Sequence, residues 1–125
     1  MTVFRLSLHV LAATIWVGGQ LVLAGLVPTL RAVGPDAPRL AARRFNLIAW
    51  PAFFVLFVTG IWNLMIEEDI RHPLFEIKFL MVIISGAGAA IHIVAKDSKA
   101  ALAIGGAMAS LGAVAALVLG VALAN

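Results

Sequence analysis

The chain reads as an all-α integral membrane protein, a four-helix bundle forming a single transmembrane domain over residues 1–125. Two properties of the sequence and one exclusion lead there. Hydrophobic residues make up 63% of the chain and charged residues 12%, about half the charged share usual in a soluble domain. The apolar residues gather in four stretches, each near the roughly 20 residues a helix needs to cross about 30 Å of hydrocarbon. These stretches are continuous rather than alternating, which excludes the strands of a membrane β-barrel. The lipid bilayer is therefore the first partner expected, and multi-pass insertion in the cell's inner, cytoplasmic membrane the expected location.

The first span is placed at residues 3–30. Its apolar run is much longer than the core of a signal peptide and no small-residue cleavage site follows it, so it is expected to remain as a span. Pro28 is expected to end or bend it. A connection over residues 31–45 follows, beginning with Gly34-Pro35-Asp36-Ala37-Pro38 near its start and rich in arginine. The second span, residues 46–66, carries Pro51 early, where a proline is tolerated with a mild kink. Trp50 and Trp62 near its ends suit the two membrane interfaces. An acidic connection over residues 67–76 leads to the third span, residues 77–95. A tight turn at 96–99 leads to the fourth, residues 100–124.

Charge sets the expected orientation. Arg31, Arg39, Arg43, Arg44, Lys96 and Lys99 lie on the first and third connections, whereas Arg5, Arg71 and Lys78 lie on the other side with Glu67, Glu68 and Asp69. Excess Lys and Arg marks the cytoplasmic side, so both termini are expected on the outer face. The basic residues are scattered singly, with no basic patch or aromatic platform, which argues against nucleic acid as a partner despite the net charge of +3. In the fourth span Gly112, Ala116 and Gly120 recur every fourth residue, preceded by Gly105 and Gly106. Such a face lets helices approach closely, either within the bundle or as the seam of a homo-oligomer.

Ionisable side chains inside a span are costly and mark functional sites. His9 is one, His92 another. On a regular helix His9, Trp16 and Gln20 share a face, with Ala12, Ala13 and Gly19 beside it. Lys78, Ser85 and His92 share a face of the third span, flanked by Ala89. The second span sets Trp50, Phe53, Phe54 and Phe57 at helical spacing, and Thr59 and Asn63 one turn apart, where they can hydrogen-bond between helices. Depth separates the two imidazoles: His9 is expected about 9 Å from the outer edge and His92 about 22 Å from it. One metal ion is then hard put to use both. His72 beside Pro73 is nearest in height to His9, while Arg5 and Lys78 near that end suit the carboxylates of a cofactor.

The ligand inventory favours haem. There is no cysteine, so thiolate sites, disulfides and covalent haem attachment are absent together. Copper(I) prefers soft ligands, and Met1, Met65, Met81 and Met108 show no paired spacing. Structural zinc lacks four ligands. Haem b needs one or two axial imidazoles and an apolar slot, with His9 and His92 as metal ligands and Trp16, Lys78 and Arg5 as further contacts. No acid lies within a span to orient a histidine in a catalytic triad. A b-type haem protein for electron transfer or oxidation, acting with an unidentified redox partner, is the leading expectation. A copper-handling or copper-transport module is the alternative, and a structural or assembly subunit the third reading.

A resemblance strengthens the first two. The run from His9 through Trp16 to Gly18-Gly19, then Arg43-Arg44-Phe45, Thr59-Gly60, Trp62-Asn63 and Lys78-Phe79-Leu80, resembles the membrane domain of the copper-resistance protein D family. His9, Trp16, Arg44, Lys78 and His92 in this order also resemble the related membrane protoporphyrinogen oxidases. The first branch implies copper handling across the inner membrane. The second implies a haem b enzyme of tetrapyrrole synthesis, with the histidine at the place of His9 implicated in haem ligation and a third-span lysine and histidine at Lys78 and His92.

Overall fold

The computed structural model describes residues 1–66, 73–95 and 97–125. Among them every regular element is helical: α1 (Thr2–Ala13), a π-turn (Thr14–Gly18), α2 (Gly19–Val33), α3 (Ala37–Ile66), α4 (Pro73–Val94) and α5 (Lys99–Ala124). The first three run on as one rod, so four helices are long and apolar enough to cross a membrane. The chain divides into two compact units, Met1–Glu68 and Asp69–Asn125. In the first, the rod Thr2–Val33 pairs with α3; in the second, α4 pairs with α5.

The first hairpin turns within three residues. Gly34 N–H still donates to the Leu30 carbonyl at 3.1 Å, and Pro35 has no N–H with which to continue. The arginine-rich stretch expected as a long connection is instead the start of α3, which begins at Ala37. Pro38 falls in its first turn, where a missing N–H costs nothing, and Leu40, Ala41, Ala42 and the arginines are good helix formers. Hydropathy marks the part of a helix suited to hydrocarbon, not where the helix begins. At 30 residues, α3 is about 45 Å long and exceeds a bilayer core by several turns. Pro28 does not end the first rod, which continues to Val33, and Pro51 lies within α3.

The rod pairs with α3 through small and aromatic residues. Ala12, Ala49 and Ala52 are buried. Trp16, 3% exposed, packs on Phe53 with ring centroids 4.5 Å apart and edge-on to Trp50 at 5.4 Å. A Cβ at Gly19 would collide with the Phe45 ring, so this glycine lets the ring lie against the rod. The π-turn sits beside these contacts, and Thr14 Oγ1 donates back to the Val10 carbonyl at 2.8 Å as it begins. A π-turn takes up an extra residue, which turns the downstream side chains by about 100° from α-helical phase. His9 lies before that turn and Gln20 after it.

In the second hairpin the backbones themselves touch. A Cβ on Gly88 would stand 2.6 Å from the Ala109 nitrogen, one on Gly105 2.7 Å from the His92 nitrogen, and one on Gly112 2.9 Å from the Met81 carbonyl oxygen. Ser85 Oγ donates to the Ala109 carbonyl at 2.7 Å across this seam. Gly112 and Ala116 are buried and Gly120 lies under Lys78, so α4 uses the small-residue face of α5. Ser98 caps α5 by accepting from the Ala101 N–H at 3.2 Å. Glu76, placed by hydropathy in a connection, lies in the first turn of α4, where a carboxylate favours the helix dipole. Glu67, Glu68, Asp69, Arg71, His72 and Lys96 lie outside the described residues.

The burial pattern inverts that of a water-soluble protein. The buried residues are mostly alanine, glycine, serine and threonine, while Leu47, Phe54, Leu111 and Val118 are among many large apolar side chains that stay exposed. Water-soluble chains bury those types; helices surrounded by lipid put small residues between them. Gly88→Ala is expected to lower stability by about 1–3 kcal/mol, since backbone atoms cannot move aside. Gly25→Ala, with nothing within 4 Å, should be neutral or stabilising by up to about 1 kcal/mol. Unfolding of both variants in mixed detergent measures the difference.

Candidate functional site

His9 lies half-buried where α1 meets α3. Its Nδ1 is 2.8 Å from Thr59 Oγ1, and Thr59 is 1% exposed. The single hydroxyl hydrogen of Thr59 goes to the Val55 carbonyl at 2.7 Å, with the Leu56 carbonyl at 3.1 Å. A hydroxyl already donating can only accept from the ring. Nδ1 therefore carries a proton. Serial donation from His9 to Thr59 to a backbone carbonyl fixes both tautomer and ring orientation, the usual arrangement behind a metal-ligating histidine. Gly60 stands beside the ring, where an added Cβ would meet Cε1 at 3.6 Å.

One turn above this pair, Arg5 is buried at 4% exposure, and its Nε and Nη1 have no hydrogen-bond partner. Asn63 Oδ1 and Gln20 Nε2 are likewise buried and unpaired. Arg5 precedes His9 by one turn and Asn63 follows Thr59 by one, so in an antiparallel pair they occupy the same layer. Trp16 is engaged in the aromatic cluster with Trp50 and Phe53.

The second unit holds His92 in a parallel way. Its Nδ1 is 2.8 Å from the Leu102 carbonyl oxygen. A carbonyl only accepts, so the ring is again protonated at Nδ1. Gly106 makes room for it, since a Cβ there would lie 3.3 Å from Nδ1. The stripe read from the sequence faces α5 throughout: Lys78 against Gly120, Ser85 on Ala109 and Gly112, His92 on Leu102 and Gly106. His92 is exposed, whereas Ser85 is 1% exposed.

The Leu102 carbonyl and the π-turn are features that sequence reading missed. A backbone acceptor leaves no mark in residue identity. The Gly105-Gly106 pair was the available signal for a close approach at that level. Among the described residues no three His, Cys, Asp or Glu side chains gather as a metal-binding group. His72, considered as a partner for His9, lies outside the described residues. Compared with family models, curated proteins and solved structures, the chain shows no significant match to any.

The two rings generate a direct prediction. Nitrogen-15 NMR of the histidine-labelled protein should show a proton on Nδ1 of both His9 and His92. Thr59→Val should abolish that preference for His9 and leave His92 unchanged.

Proposed function

We propose that the chain is a multi-pass protein of the cytoplasmic membrane that holds b-type haem through His9 and serves electron transfer or oxidation there. The observation that carries the reading is the donation from His9 to Thr59 and on to Val55: with Nδ1 engaged by Thr59, Nε2 is the ring nitrogen that would ligate. The site suits the group in chemistry: an imidazole of fixed tautomer, a glycine beside its ring, and aromatic packing two turns below. Without cysteine the attachment would be non-covalent. Bound haem supplies one-electron redox chemistry; His9 binds it and Thr59 positions His9. His92, with its own fixed tautomer, is a second candidate imidazole, in the other unit. The resemblance to the membrane protoporphyrinogen oxidases points the same way, and that to the copper-resistance protein D family points to the copper-handling alternative.

Membrane insertion is supported by four long apolar helices and by the exposure of their large side chains. The Lys and Arg asymmetry supports termini on the outer face. Resistance of the full chain to alkaline carbonate extraction tests insertion independently of any cofactor.

Protein purified from haem-replete cells should show a Soret band that His9→Ala removes. Thr59→Val should weaken haem affinity about ten- to a hundredfold, as loss of a ligand's supporting hydrogen bond does, while Thr59→Ser retains it. A colourless, iron-free preparation overturns the haem reading, and copper at one per chain in its place would favour the copper-handling alternative.

A further inference from the structure

We propose that the first hairpin binds an anionic lipid, Arg5 taking the oxyanion of its head group and an adjoining groove between α1 and α3 taking its hydrocarbon chain. The proposal rests on the membrane reading above but not on haem. A guanidinium is a cation that carries only donors, and burying one with donors unmet is strongly unfavourable. Two of its nitrogens have none. Asn63, in the same layer, has a buried oxygen equally unmatched, and its amide can turn to present a donor instead.

Arg5 is in the first turns of α1, which has no acidic residue and no side-chain cap, so its leading N–H groups also favour an anion. The groove starts at Leu8, one turn further on, and continues along Ala12 and Ile15, with Val55, Ala52 and Pro51 as the opposite wall. It runs about 10 Å along the axis between Leu8 and Ile15. Arg5 lies only about 4.5 Å from the start of α1. In a bilayer the charge is then at head-group depth and the groove leads inward, as an acyl chain does. An oxyanion head on a hydrocarbon tail matches both parts; a neutral lipid matches the groove alone.

Melting of the full chain in neutral detergent, titrated with oleate, tests this. Oleate should raise the melting temperature saturably. Oleyl alcohol, with the chain but no anion, and acetate, with the anion but no chain, should not. Arg5→Met should weaken apparent oleate affinity at least tenfold, yet without oleate melt no lower than wild type, because the unpaired charge is gone. A purely structural arginine would give a lower melting point instead and overturn the proposal. Arg5→Lys, which keeps the charge but fewer donors, should weaken oleate severalfold. Equal shifts with oleate and oleyl alcohol, or unchanged affinity in Arg5→Lys, also overturn it. Haem-loaded and haem-free protein should respond alike; loss of the response on loading would assign Arg5 to the haem carboxylates and exclude the lipid.

Discussion

In a bilayer, helices as apolar outside as inside could not use the burial of hydrocarbon to choose which faces meet, because lipid solvates a leucine as well as another helix does. Close approach at small residues, with a few hydrogen bonds across the seam, makes the choice here. In the α4–α5 pair, Gly88, Gly105 and Gly112 each bring the backbone of one helix against the other. Ser85 and His92 reach carbonyls of α5. Contacts between polar groups count for more where no water competes, and each hydrogen bond also removes the cost of leaving its own atoms unmatched.

The same constraint shapes both imidazoles. A histidine on an apolar helix needs an acceptor for its N–H, and each finds one on the neighbouring helix of its own hairpin. For His9 the acceptor is a hydroxyl that passes its own hydrogen to Val55; for His92 it is a backbone carbonyl. Both contacts engage Nδ1 and set the orientation of the ring. Arg5 is the departure from this economy. It is buried as deeply as the seam residues, but its Nε and Nη1 lack the partners those residues have.

The four long helices and the inward direction of the polar stripe on α4 were legible in residue order, because hydropathy and a 3.6-residue period are local properties. The start of α3 at Ala37 was not, since charged residues with high helix propensity extend a helix beyond its apolar part. The π-turn was equally hidden. Nothing in Thr14–Gly18 announces an extra residue in the turn, which arises where Trp16 packs against Trp50 and Phe53.

Residue order alone established an all-helical chain with four segments suited to a bilayer, no thiol chemistry, and His9 and His92 as the side chains to explain. Those conclusions need only composition and period. The pairing of His9 with Thr59, fifty positions away, the Leu102 acceptor for His92, and the unpaired state of Arg5 came from tertiary structure. Each is a property of which atoms face one another across two helices. No local pattern encodes that, because the register of a hairpin is set by the sum of its small-residue contacts.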